Sequence, residues 1–278
     1  MEQQRENRYK IAIFDLDGTL TNSRKELTPR TREALIALQR RGVKVVLASG
    51  RPTYGIIPLA NELKLSSFGG YILAYNGGVI IDCKTMQEIY SSKIEERFIE
   101  ELYKESKLCK CTILSYRDAV ILAEEVNGEY VQYEAMLNKM ETCRVDSFVE
   151  SFRCDVPKCL AVGEPERAVG LVERLNERFS EQMNVYRSEP FFVEIVPLGV
   201  DKALSLGRLA LHLGIESEDM ISFGDGFNDL SMIEYAGCGV AMANAQEAVK
   251  ESADVVTLSN EEDGVAVYVE RELLSESC

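Results

Sequence analysis

The sequence predicts an α/β protein: a doubly wound, Rossmann-like parallel sheet that carries an inserted α+β domain. Three observations predict it. Short apolar strand-like runs alternate with amphipathic helical stretches near the start, the same alternation returns near the end, and between them strands follow one another through short turns. With 278 residues, 46% of them hydrophobic and 28% charged, the chain can bury a substantial core without metals or disulfides.

Taken in order, residues 9–14 read as a strand, 28–41 as a helix opened by Thr28 and Pro29, and 43–48 as a second strand. Late in the chain a helix over 201–213 leads to strands at 220–223, 239–242 and 254–258 with helices between them. The middle block holds strands 112–115 and 120–124 joined through Arg117 and Asp118, a strand at 158–162, a helix at 165–179, and paired strands at 184–187 and 192–196. These textures place the α/β core in residues 1–82 and 195–278 and the α+β insert in 83–194.

Thirty-one basic residues stand against 46 acidic ones, for a formal net charge of -15. Such a surface repels nucleic acid and anionic membranes, so neither is expected as a partner, and an anionic ligand would need its own local cation. The polar start MEQQRENRYK and the shortness of every apolar run lead us to expect a cytoplasmic protein; a monomer or weak homo-oligomer is expected, though no motif encodes that state. Eight scattered cysteines without a CxxC pair read as reduced, mostly buried thiols.

The stretch IAIFDLDGTL sets Asp15 and Asp17 two residues apart where an apolar strand ends, so in extended backbone both carboxylates face one site. Ligands of doubly wound sheets bind at that end of the strands. Two like charges so close call either for a shared proton or for a cation between them. The late strand ends in GDGFNDL, which adds Asp225, Asn228 and Asp229. If the acids converge, the site is all oxygen, and the hard cation magnesium is expected.

Positive charge and anion-binding amides come from two other segments. The 43–48 strand finishes in Ser49-Gly50-Arg51-Pro52, a small-residue turn before a helix, and Lys202 stands at the start of the 201–213 helix. A helix start disfavours a cation, so an anion beside Lys202 is expected to offset the macrodipole. The one histidine, His212, lies late in that helix and far from any nucleophile-like turn; its role is read as structural, which leaves the chemistry to carboxylates.

These residues resemble the four signature motifs of the haloacid dehalogenase superfamily, and the placement of the insert resembles its Cof-type sugar-phosphatase branch. Asp15-Leu16-Asp17-Gly18-Thr19-Leu20 matches the first motif, Ser49-Gly50-Arg51 the second, Lys202 the third, and Gly224-Asp225-Gly226-Phe227-Asn228-Asp229 the fourth; the Asn76-Gly77-Gly78 turn fits the branch as well. The resemblance implies a magnesium-dependent phosphatase acting on small phosphorylated metabolites, sugar phosphates above all. It implies Asp15 as nucleophile and Asp17 as acid and base, with magnesium held by the Asp15 carboxylate, the Asp17 carbonyl and Asp225, and Asn228 and Asp229 close behind. It further implies that Ser49, the Gly50 amide and Lys202 bind the phosphoryl oxygens, that Arg51 and Asn76 reach toward the phosphate or leaving group, and that the insert is a cap. Lys158, Arg187 and Ser188, beside the insert's strands, are its candidates for reading the leaving group.

Three rivals share parts of this pattern. A phospho-accepting signalling module would lack the second acid at Asp17 and would be smaller. A phosphomutase would share nucleophile, acid and cap and differ in its product. A non-catalytic regulator is hard to reconcile with a full set of acids plus Lys202.

Overall fold

A computed structural model describes residues 8–275. The described residues fall into two compact units, one within Met1–Gly50, Ile56–Tyr90 and Asp201–Cys278, the other within Arg51–Gly55 and Ser91–Val200. Among the described residues fourteen strands run in chain order: β1 Ile11–Asp15, β2 Lys44–Ala48, β3 Tyr71–Ala74, β4 Val79–Asp82, β5 Gln87–Ser91, β6 Thr112–Arg117, β7 Val120–Ala123, β8 Glu141–Arg144, β9 Cys159–Val162, β10 Met183–Glu189, β11 Phe192–Pro197, β12 Met220–Gly224, β13 Cys238–Ala241 and β14 Val255–Val256.

In the first unit eight strands form one sheet in the order β14-β13-β12-β1-β2-β3-β4-β5. Every pairing from β14 to β3 is parallel, and β3 with β4 is antiparallel, so the predicted parallel sheet gains an antiparallel margin. All five residues of β1 are buried, as a strand covered on both faces requires, which is why IAIFD reads as an unbroken apolar run up to its final acid. Phe14 stacks on Phe223 of β12 with ring centroids 4.8 Å apart, fixing the two acid-bearing strands side by side. Chain order runs outward from β1 through β2 to one margin and from β12 through β13 to the other. The β1/β12 boundary is therefore the point where connections diverge and a crevice opens at the strand ends.

The first helix, Pro29–Arg40, starts as predicted: the Thr28 side chain accepts from the Thr31 amide, and Pro29 occupies a position whose amide would have no partner.

The second unit is built on a six-stranded sheet in the order β10-β11-β9-β6-β7-β8, antiparallel except for the β7/β8 pair. The helices Glu96–Leu108 and Pro165–Phe179 bury Leu102, Leu171 and Leu175 in a core shared with Ile113, Ala161 and Ile195 of the sheet. Compared with the expected insert of 83–194, the compact unit is displaced toward the C-terminus. Strand β5 extends the eight-stranded sheet, and β11 runs on to Pro197 before the chain returns at Asp201.

Among the described residues no helix is long and apolar enough to cross a membrane. Seven cysteines are free thiols; Cys83, Cys111, Cys159 and Cys238 are buried, while Cys143 and Cys154 are exposed. Cys278 lies outside the described residues.

Candidate active site

Asp15 closes β1, Ala48 closes β2 and Gly224 closes β12, so the residues that follow them gather at one end of the sheet. Lys202, the first residue of the helix Lys202–Leu213, is fully buried there. Its Nζ donates to Asp15 Oδ1 at 2.6 Å, to Asp229 Oδ1 at 2.5 Å and to the Ala48 carbonyl at 3.1 Å. Two carboxylates thus offset both the burial of the ammonium and the unfavourable helix dipole, and they hold its pKa above the ordinary lysine range despite burial. Asp201 caps the same helix, accepting from the Leu204 amide at 3.1 Å.

Both oxygens of Asp229 are hydrogen-bonded. Its Oδ1 takes Lys202, while Oδ2 accepts from the amides of Asp225 and Gly226, both at 2.9 Å. This carboxylate shapes the 225–229 loop and anchors the lysine. Gly224 makes the fit possible, because a Cβ there would come within 2.5 Å of the Asp229 Cβ.

Among the described residues, Asp15, Asp225 and Asp229 offer oxygens that all lie within 4.8 Å of one another, a group able to hold a metal ion. Burial drives the Asp15 carboxyl well up, Asp229's charge adds to this, and Lys202 opposes it. Asp225 is pushed up to about 6, chiefly by burial, with Thr19's hydrogen bond opposing and Asp229's charge adding to the rise. Three carboxylates and one ammonium leave an excess of negative charge in a largely buried site, and an oxygen-only donor set of that charge fits a hard divalent cation.

Asp17 stands apart from that group. Its carboxylate pairs with Lys25, Nζ to Oδ1 2.8 Å. Ser49 is buried after β2; its amide donates to the Leu73 carbonyl and its carbonyl accepts from the Asn76 amide, both at 2.9 Å. The Asn76 side chain lies over Gly50, where a Cβ would meet it at 3.2 Å, and its Oδ1 accepts from Asn228 Nδ2 at 3.1 Å. Tyr75 and Asn76 are consecutive non-glycine residues at φ of 54° and 55°, a strained conformation of the kind that gathers at functional loops.

The structure therefore brings together Asp15, Lys202, Asp225 and Asp229, and separately Gly50, Asn76 and Asn228. Arg51 is buried and groups with the second unit. So do Lys158, Arg187 and Ser188. Lys158 is buried, its Nζ 2.5 Å from Glu194 Oε2; Ser188 Oγ donates to Glu194 Oε1 at 2.8 Å, and Arg187 lies 3.4 Å from the Pro190 carbonyl. His212 is exposed in the last turn of its helix, away from the acids' strand ends.

Two residues escaped the sequence reading. Thr19 Oγ1 donates to Asp225 Oδ1 at 2.6 Å, and Asn244 Nδ2 donates to the Gly18 carbonyl at 2.8 Å. Thr19 had a signal, its place within the first motif; Asn244 had none, because its partner is 226 positions away.

Fold and site together define an α/β enzyme of the doubly wound type with an acidic crevice at the strand switch point. The family model for haloacid dehalogenase-like hydrolases matches residues 12–269, and the chain belongs to that family. A haloacid dehalogenase-like hydrolase from Bacteroides thetaiotaomicron is similar in structure, with a TM-score of 0.93 and 49% identity over 95% of this chain and 99% of that one. A provisionally named phosphatase, YxeH of Bacillus subtilis (strain 168), is 34% identical over 93% of this chain and 96% of its own length. The subclass IIB sugar phosphatase BT4131 superposes with a TM-score of 0.79 at 26% identity, covering 94% of this chain and 98% of that one. The protein is a phosphatase of this family.

Proposed function

We propose that the protein is a magnesium-dependent phosphatase that hydrolyses small phosphorylated metabolites, sugar phosphates above all, through an aspartyl phosphate on Asp15. The observation that carries the reading is the buried Lys202 ammonium, 2.6 Å from the Asp15 carboxylate, at the sheet end where Asp225 and Asp229 also gather. The sugar-phosphatase name of BT4131 supports the substrate class.

In the first step an Asp15 oxygen forms a bond to phosphorus as the bond to the leaving oxygen breaks, and Asp17 gives that oxygen its proton. In the second, water attacks phosphorus, Asp17 takes the water's proton, and the Asp15–phosphorus bond breaks to release phosphate. Lys202, the Ser49 hydroxyl and the Gly50 amide bind the transferring oxygens. Asp15, the Asp17 carbonyl and Asp225 would hold magnesium, with Asn228 and Asp229 behind them; when bound, it would neutralise charge on the phosphoryl group. The second unit acts as the cap, where Lys158, Arg187 and Ser188 bear on the leaving group, with Arg51 and Asn76 contributing from their loops. A reducing, cytoplasmic setting accords with the free thiols.

Replacing Asp15 with Asn keeps the shape and removes the nucleophile. Phosphate release from a panel of sugar phosphates with magnesium should fall by about 10⁴-fold with the fold intact. Retention of more than about a tenth of wild-type turnover overturns the assignment.

A further inference from the structure

We propose that Lys25 is a positioning residue for the general acid, holding the Asp17 carboxyl on the leaving-group side of the site and out of the acid cluster around Asp15. The inference rests on the phosphatase reading above and assigns a part to a residue that no motif contains.

The chain after β1 is tied down twice before it reaches Lys25. Leu20 and Thr21 donate their amides to the carbonyls of Asp15 and Leu16 at 3.2 and 2.9 Å, and the Asn260 side chain donates to the Thr21 carbonyl at 2.9 Å. Asn22, itself buried, then closes a small loop. Its Oδ1 accepts from the amides of Arg24 and Glu26 at 3.0 and 3.1 Å, while its own amide donates to the Glu26 carbonyl and its carbonyl accepts from the Lys25 amide. Ser23 adds an anchor, its amide donating to Glu261 Oε1 at 2.6 Å. The loop is thus fixed by contacts that do not involve the Lys25 side chain.

At the tip of this loop Lys25 adopts φ of 60°, a conformation glycine or asparagine reaches with less strain. Its Nζ lies 2.8 Å from Asp17 Oδ1, with side chains 39% and 29% exposed. An ion pair as open as this adds little to stability, so its effect is on where the carboxyl sits. Asp17 has a reason to need holding. It lies two residues from Asp15 and its charge is felt at Asp225, yet its carboxylate is not among the three that crowd within 4.8 Å. Lys25 supplies a cation on the other side.

A positioned acid matters most when the leaving group is poor. Transfer to Asp15 from an alkyl phosphate needs a proton on the departing oxygen, whereas p-nitrophenolate departs without one. Lys25→Met and Lys25→Arg should be compared with wild type and Asp17→Asn, with magnesium, on glucose 6-phosphate and p-nitrophenyl phosphate. We expect Lys25→Met to lower kcat/KM for glucose 6-phosphate about tenfold and for p-nitrophenyl phosphate less than about twofold. Lys25→Arg should recover most of the loss, and the melting temperature should move by less than about 2 °C. Equal losses on both substrates, no loss on either, or an arginine variant as poor as methionine overturns the proposal. If Asp17→Asn itself shows no preference between the two substrates, the general-acid assignment of Asp17 in the proposed mechanism fails instead, and the two failures are told apart.

Discussion

Each unit buries a lysine against carboxylates, and the two settings differ in a way that separates chemistry from support. Lys202 sits where parallel strands end, between Asp15 and Asp229, with Asp225 nearby, so negative charge exceeds positive and burial pushes Asp15 and Asp225 upward. Lys158 lies on an antiparallel sheet against Glu194, with Glu134 close by and bonded by the Tyr116 hydroxyl at 2.6 Å. There burial raises the Glu134 carboxyl above its ordinary value, while the Lys158 ammonium and the Tyr116 hydroxyl oppose the rise, and the cluster lies within a sheet and not at the strand ends where Asp15 and Asp225 gather. A buried lysine by itself is no mark of a site. An unbalanced excess of acids around it, at strand ends, is.

The largest expected effect tests this directly. Lys202→Met should lower kcat about a thousandfold and cost about 3–5 kcal/mol in urea unfolding, since it removes a phosphoryl-binding donor and strands two buried carboxylates. Gly18→Ala should follow. At φ of 95°, with a Cβ only 2.3 Å from Asp225 Oδ2, it displaces that acid and should reduce kcat/KM about a hundredfold while raising the magnesium concentration needed for half-maximal rate.

Lys158→Met should cost a similar 3–5 kcal/mol but leave kcat within about threefold, with KM for the sugar phosphate raised. The comparison breaks if it abolishes kcat as Lys202→Met does. The smallest effect concerns pH. A carboxyl whose folded pKa is raised contributes stability that is complete below its unfolded value, 4.5 for Glu134, and lost as pH climbs through the folded value. Glu134→Gln should therefore flatten the fall of stability above about pH 4.5 in thermal melts across pH; an unchanged slope would show that Glu134 titrates alike in both states.

Much of this is legible in the sequence. The apolar run into Asp15, the Thr28-Pro29 helix start and the helix Pro165–Phe179 follow from local patterns, and each appears as expected. The anion foreseen beside Lys202 is there twice over. What could not be read was pairing. Asp229's oxygens accept from Lys202 and two amides, Lys158 is buried against Glu194, Lys25 pairs with Asp17, and Thr19 donates to Asp225, and no motif states any of these pairings.

By itself, the order of residues determined the chemistry available: acids at the ends of apolar strands, a small-residue turn, a lysine opening a helix, and alternation that can only pack as a covered parallel sheet. Periodicity and capping act over a few residues, so a linear reading captures them. Only the tertiary structure decided which oxygen each cation meets, because Lys202 and Asp15 are 187 positions apart and Thr19 and Asp225 are 206 apart. It also decided which of the buried charges are balanced, since desolvation is set by everything that surrounds a group and not by its neighbours along the chain.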